Sequence, residues 1–353
     1  MNELSDRKKP ELVAEDQQLA ESRKTDHIEL AFAANLDKAA LDTRFNYEPL
    51  LSAHPIPGQH SIIPFLGKSL RSPIWVSSMT GGAKWAHTIN TRLATACQKF
   101  GMGMGLGSCR SLLYGDEHLR DFDVRHLMGP DLPLFANLGI AQVEDLQDKE
   151  AMHLIPQMLK RLQADGLILH LNPMQEWFQP EGDRLKRPPL QTLRRLVDQA
   201  DYPIIVKEVG QGMGPESLRF LMHMPLAAVD FGAAGGTNFA LLENLRRSED
   251  HRMYRAPLVR VGHDAAAMVD LINEIVQEYG QKLSCGQIII SGGVKDFLDG
   301  FYLMEKCALP ALYGQASALL KYARESQEAL DTFLQAQTDG LAMARAYLRI
   351  KTS

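Results

Sequence analysis

From Pro73 onward the chain alternates between short apolar runs that close on small or polar residues and longer stretches of helical periodicity. The runs are Pro73–Met79, Gly103–Ser108, Leu132–Asn137, Gly166–His170, Pro203–Glu208, Ala227–Gly232, Gln287–Gly293 and Ala311–Ala316. Continuous apolar runs of this length suit strands buried on both faces, the condition of a parallel sheet. The spacers have helix length. His87–Phe100 sets Ile89, Leu93, Ala96, Cys97 and Phe100 on one face, and Asp264–Glu278 does the same with Met268, Leu271, Ile272 and Ile275. Eight strands, each followed by a helix, predict an α/β fold of the (β/α)8 TIM-barrel type. An open doubly wound sheet is the rival, and Thr80-Gly81-Gly82 would serve as its glycine-rich first turn. Polar residues close nearly every run, however, instead of gathering at one switch point, which favours the barrel.

Residues 1–72 read as an N-terminal extension and 73–353 as the barrel. The extension opens with a polar lead-in to about residue 22. Arg23-Lys24-Thr25-Asp26-His27 follows, then a helix-like segment to about Lys38, and a proline-rich connection in which 51–66 reads as loop with a short hairpin. Neither an internal repeat nor a low-complexity segment is visible.

Composition narrows the function classes. A formal charge of -5 over 353 residues argues against a general nucleic-acid or membrane-surface binder, while leaving room for a local anion site. The first sixteen residues lack the apolar core of a secretion signal. The longest stretch free of Asp, Glu, Lys and Arg, Pro49–Gly67, holds four prolines and cannot span a bilayer as a helix. Cys97, Cys109, Cys285 and Cys307 are widely spaced without metal-ligand pattern, so they read as reduced thiols of a cytoplasmic protein.

The candidate chemistry sits at the ends of the runs. Thr80-Gly81-Gly82, Gly235-Gly236-Thr237 and Ser291-Gly292-Gly293 leave backbone N–H groups open to close approach, and late in a barrel such turns form a phosphate site. Lys207 and Glu208 close the fifth run, and strand alternation sends one of them inward and the other away. An inward lysine needs an anionic or electron-rich partner, although a structural ion pair between the two is the plainer alternative. Arg23, Lys24, His27 and Arg110 are further cations suited to a diphosphate, and the plain reading of the first three is solvated surface. The fourth run ends in His170, Asn172, Gln175 and Glu176, four polar groups within seven residues. Glu176 is an acceptable oxygen ligand for a divalent cation beside a phosphate, Gln175 can orient a substrate, and His170 can contact an anion or act as acid/base.

In sum these residues resemble the FMN-dependent type 2 isopentenyl-diphosphate delta-isomerases. The likeness runs from Arg23 to about residue 325 and is carried by Arg23-Lys24-x-x-His27, Ser78-Met79-Thr80-Gly81-Gly82, Gly107-Ser108-x-Arg110, Ala136-Asn137-Leu138-Gly139, His170-Leu171-Asn172-Pro173-x-Gln175-Glu176 with Gln179-Pro180-Glu181-Gly182-Asp183, Val206-Lys207-Glu208-Val209-Gly210, Gly235-Gly236-Thr237 and Ser291-Gly292-Gly293. The stretch from His170 to Asp183 is the most specific of these.

The resemblance implies an isomerase of isoprenoid biosynthesis that interconverts isopentenyl diphosphate and dimethylallyl diphosphate, using FMN reduced by NADPH, with Mg2+ on the diphosphate. It implies FMN contacts from Ser78, Met79, Thr80, Ser108, Asn137, Lys207, Thr237, Gly292, Gly293, Val294, Ala316 and Ser317. Substrate contacts would come from Arg23, Lys24, His27, Ser108, Arg110, His170, Asn172 and Gln175. Glu176 would hold the metal, and Gln175 and Lys207 would be the catalytic residues. It further implies a homo-oligomer whose N-terminal extension covers the substrate. Two positions depart from the family pattern. Cys109 stands where a Gln is usual between the Ser and the Arg. Gly232 stands where a Ser is common, which removes an expected hydroxyl for the FMN phosphate. The competing readings are an FMN-dependent oxidoreductase of a small hydroxy acid and a non-catalytic flavin- or phosphate-binding protein.

Overall fold

The computed structural model describes residues 20–59, 61–78, 85–248, 252 and 254–351. The chain divides after Asn46 into a short unit and a large one that begins at Tyr47. In the short unit, residues 20–30 form an exposed helix.

The large unit holds a closed barrel of eight strands, all paired in parallel. They are β1 (Ile74–Val76), β2 (Gly103–Gly105), β3 (Leu134–Gly139), β4 (Gly166–Leu171), β5 (Ile204–Glu208), β6 (Ala228–Asp230), β7 (Ile288–Ser291) and β8 (Ala311–Gln315). Each falls inside or on one of the eight apolar runs. The α/β TIM barrel read from the pattern is therefore the fold observed. Ile74, Trp75, Val76, Leu167, Ile168, Leu169, Ile204, Ile205, Val206, Ile288, Ile289 and Ile290 are all buried, as expected of strands covered on both faces.

Helix α1 (Ala86–Phe100) buries Ile89, Leu93, Ala96, Cys97 and Phe100, the face its periodicity predicts. It stops at Gly101, whose left-handed φ of 69° lets its N–H return to the Cys97 carbonyl. Helix α2 (Ala265–Tyr279) starts where the Asp264 carboxylate caps the Ala267 N–H. It buries Met268, Val269, Ile272 and Ile275 and leaves Leu271 half-buried, so its apolar face is turned slightly from the predicted one.

A hairpin, Ile63–Phe65 with Lys68–Leu70, turns at Leu66 and Gly67, both at positive φ. Its contacts fall on residues just ahead of strands. The Lys68 ammonium reaches Asp165 (2.6 Å) and the Pro130 carbonyl (2.7 Å), and the Leu66 N–H donates to Gln287 (2.9 Å). The hairpin thus lies against the amino-terminal end of the barrel, away from the carboxyl ends of the strands. No helix among the described residues is long and apolar enough to cross a membrane. The four cysteines are free. Cys97, Cys109 and Cys285 are buried, and burial pushes the Cys109 thiol up to about 12.

Candidate active site

At the carboxyl ends of β1 and β5–β8 a cleft open to solvent is lined by Ser77, Ser78, Lys207, Thr237, Ser291 and the Gly292-Gly293 turn, with Val294, Ala316 and Ser317 beyond. Its floor is backbone. Gly292 and Gly293 have φ of 90° and 74°, and a Cβ on Gly292 would sit 2.1 Å from the Ala233 carbonyl oxygen. The chain can turn so tightly only with glycine here. Ser77 Oγ, Ser78 Oγ and Gln315 Oε1 are buried without a hydrogen-bond partner among the described residues. Unpaired buried polar atoms beside a cleft fit a bound polar group that would satisfy them. Met79 and Thr80, with Gly81 and Gly82, lie outside the described residues.

Lys207 is buried in this cleft, and its ammonium donates to the Glu208 carbonyl at 2.5 Å. Glu208 turns to the opposite face, as alternation requires, into a separate and mostly apolar cavity with Leu171, Met174, Leu193 and Phe220. Its Oε2 accepts N–H bonds from Gly210, Gln211 and Gly212 at 2.7–2.9 Å. The two side chains do not form the ion pair that a purely structural role would have given them. Glu208 shapes the turn while Lys207 faces the cleft.

A second cluster is built on the ends of β3 and β4. In register, Gly139 pairs with His170, and His170 pairs with Lys207 on β5. His170 Nδ1 lies 2.6 Å from Asn137 Oδ1. With that oxygen as acceptor, Nδ1 carries the proton and Nε2 the lone pair. Burial first, and the Lys207 charge second, push the imidazole down to about 3, so it is neutral at pH 7. Gly139 is a packing requirement here, because a Cβ would lie 2.8 Å from His170 Nε2 and 2.3 Å from Gln142 Oε1.

Asn172 leads into the short helix α3 (Pro173–Phe178), with proline in the first turn where no N–H is needed. That helix carries Gln175 and Glu176. Asn172 Nδ2 donates to Glu176 Oε1 (2.9 Å) and to Gln175 Oε1 (3.3 Å). Glu176 is buried and its Oε2 accepts the Asp183 N–H at 2.7 Å. Asp183 in turn holds Arg110 (2.9 Å) and Gln142 (3.1 Å). Asn172, Gln175, Glu176 and Arg110 are thereby joined in one hydrogen-bonded chain. Ser108 stands exposed just beyond β2. Arg23, Lys24 and His27 are exposed on the helix of the short unit, and the other candidates belong to the large unit.

No family model matches the chain. Curated relatives do. It is 34% identical to an isopentenyl-diphosphate delta-isomerase of Rickettsia africae over 325 residues, 91% of each chain. The match to the Rickettsia rickettsii protein of that name is 35% over 320 residues, 89% of this chain and 90% of the relative. The Rickettsia prowazekii protein matches at 33% over 313 residues, 87% of each. The chain belongs to the isopentenyl-diphosphate delta-isomerase family. It is an isomerase by that kinship. Among solved structures it is similar in fold to a flavocytochrome b2 variant with benzoylformate, with TM-score 0.59 and 13% identity over 86% of this chain and 71% of the other. It is similar also to a mandelate oxidase variant with an FMN adduct, with TM-score 0.53 and 12% identity over 88% of each chain. At such identities the likeness is one of barrel architecture.

The two departures have physical readings. Cys109 is fully buried, with its N–H on the Asn137 carbonyl (2.7 Å) and its Sγ near the Gly107 carbonyl (3.3 Å). It therefore braces the β2–β3 ends and offers no polar group to a ligand. Gly232 sits at φ +52°, and a Cβ there would lie 1.9 Å from the Glu208 carbonyl oxygen, so this backbone leaves a serine no room. Sequence reading passed over Asp230, fully buried at the end of β6 and bonded by the Ser291 hydroxyl. A lone carboxylate inside an apolar run was the signal.

Proposed function

We propose that this isomerase interconverts isopentenyl diphosphate and dimethylallyl diphosphate, with FMN of the type 2 family in the glycine-lined cleft. Ser78, Lys207, Thr237, Gly292, Gly293, Val294, Ala316 and Ser317 would hold it, with Met79, Thr80, Ser108 and Asn137 completing the set. Reduced FMN, formed with NADPH, would supply the proton addition and removal that shift the double bond.

The chain's own groups support that division of labour. At neutral pH His170 is uncharged and the Cys109 thiol is protonated. Glu208 is engaged with three backbone N–H groups. None of these is a ready acid/base pair for an apolar alkene. Lys207 presents a cation where negative charge would be stabilised. Asn172 sets the Gln175 amide, which would lie beside the alkene. Arg23, Lys24, His27, Ser108, Arg110, His170 and Asn172 would take the diphosphate. A phosphate oxygen at His170 Nε2 needs a proton on both ring nitrogens, so substrate binding would take up a proton there. Both Glu176 oxygens have an internal donor yet retain lone pairs. Among the described residues no three His, Cys, Asp or Glu side chains converge on a metal site. Mg2+ would therefore rest on Glu176, diphosphate oxygens and water, as suits a hard cation.

Within the 1–72 extension, the hairpin lies at the amino-terminal end of the barrel, and the substrate-covering role would belong to the residues before it. The same reading makes the protein a cytoplasmic homo-oligomer. The observation that carries the proposal is the placing, on adjacent strand ends, of the glycine- and serine-lined cleft with Lys207 and the Asn172–Gln175–Glu176 cluster. The test is anaerobic incubation with isopentenyl diphosphate, Mg2+, FMN and NADPH. Dimethylallyl diphosphate is the expected product. Bound, reduced flavin without that product would refute the reading and leave a hydroxy-acid oxidoreductase or a binding protein to be tested.

A further inference from the structure

A buried ammonium in a cleft needs a counter-charge, because desolvation costs several kcal/mol unless another charge and hydrogen bonds compensate it. Lys207 has one hydrogen bond among the described residues, to a neutral carbonyl, which leaves two ammonium protons. Three titratable groups surround it. His170, its register partner on β4, is neutral. Glu208 is directed to the other face and occupied by its turn. Asp230 is its register partner on β6, so its side chain leaves the sheet on the same face, one strand spacing away, ~4.8 Å.

The bonding around Asp230 specifies its state. Ser291 Oγ accepts the Gly232 N–H at 3.0 Å, so its own proton is free to go to Asp230 Oδ1. Asp230 Oδ2 is buried with no partner among the described residues. A carboxylate that accepts a hydroxyl proton on one oxygen and has an unused second oxygen complements an ammonium with two unused protons. We propose that Asp230 is a positioning residue, the buried counter-charge of the Lys207 ammonium in the cleft, with Ser291 orienting it. Burial raises the Asp230 carboxyl above its ordinary range, and Lys207, Ser291 and the Gly232 N–H pull it back toward the ionised form. Each charge of the pair thus depends on the other.

The consequence for catalysis rests on the reading of Lys207 as the cation facing FMN, but the test does not. In the flavin-free full-length protein, Lys207 is labelled with an amine-directed reagent at several pH values and quantified by peptide mass spectrometry. For Asp230→Asn the expected labelling rate at pH 8 is at least about tenfold that of the unmutated protein, equivalent to one pH unit in the amine fraction. Ser291→Ala, which keeps the charge but frees its orientation, should give about threefold. The gain must shrink as pH rises, and Lys68 labelling must not change. A loosened barrel would instead raise labelling at every pH and refute the charge role. A rate within twofold of the unmutated protein in folded Asp230→Asn would also overturn the proposal. If that variant does not fold, an unchanged rate in Ser291→Ala would do the same. A labelling shift in a protein that fails the isomerase assay would sink the isomerase reading alone.

Discussion

Restoring a serine at position 232 is the sharpest test of how this cleft is built. By family pattern alone, Gly232→Ser should return a hydroxyl to the FMN phosphate site and strengthen binding. The backbone predicts the reverse. At φ +52° any side chain pays a left-handed penalty of ~1–2 kcal/mol. The new Cβ would sit 1.9 Å from the Glu208 carbonyl oxygen, well inside the closest contact real Cβ atoms make. Glu208 belongs to a barrel strand, so relief means moving β5 or the β6 turn, an overpacking cost of ~1–3 kcal/mol. The sum is a loss of about 2–5 kcal/mol. For a unit of this size each kcal/mol lowers the midpoint of melting by roughly 2 °C, so a drop of about 4–10 °C is expected. The displaced carbonyl is also the acceptor of the Lys207 ammonium, so flavin binding should weaken despite the added hydroxyl. Thermal melts with and without FMN, together with quenching of flavin fluorescence, measure both effects. A melting point within 1 °C of the unmutated protein combined with tighter FMN would show that the cleft's backbone is not fixed as described.

Three further perturbations separate the roles at the strand ends. Gln175→Ala removes a half-buried amide whose one side-chain bond among the described residues is long, 3.3 Å from Asn172. Turnover should fall by at least about a hundredfold while the protein keeps its yellow flavin and melting point, since positioned groups of this kind contribute on the order of 10²–10⁴; loss of flavin would assign Gln175 to the cofactor instead. Glu176→Gln sets a new NH2 against either the Asn172 or the Asp183 donor. It should raise the Mg2+ concentration for half-maximal activity and cost ~1–3 kcal/mol of stability, and an unchanged metal requirement would count against a ligand role. His170 gives the acid dependence. Its folded value, about 3 because of burial and the Lys207 charge, lies below the unfolded 6.5. The unfolded chain therefore takes up the proton first, and stability present above pH 6.5 is lost as pH falls toward 3, by up to ~1.4 kcal/mol per unit. His170→Gln should flatten the fall in melting temperature between pH 6.5 and 5, and a slope equal to that of the unmutated protein would mean that the ring is already protonated in the fold.

How far the sequence discloses this molecule depends on whether the physical cause is local. Strands buried on both faces need unbroken apolar runs, and all eight are legible. The α1 face follows from a 3.6-residue period, whereas α2 trades Leu271 for Val269 because its exact rotation is set by what it packs on. The opposite bearings of Lys207 and Glu208 follow from strand alternation alone. Which of them had a partner did not, since the answer lies in backbone groups of the following turn. The bond between Arg110 and Asp183 joins residues 73 positions apart, and no spacing rule connects them. Ser291 was legible as part of a phosphate-type turn, yet its hydroxyl is spent on Asp230 across two neighbouring strands. A strand order fixes such pairs only once the barrel is closed and its register known. Asp230 marks the boundary between the two kinds of information. Its charge within Ala227–Gly232 is visible as a local conflict in the sequence, but the row His170–Lys207–Asp230 that gives the conflict a purpose exists only across β4, β5 and β6.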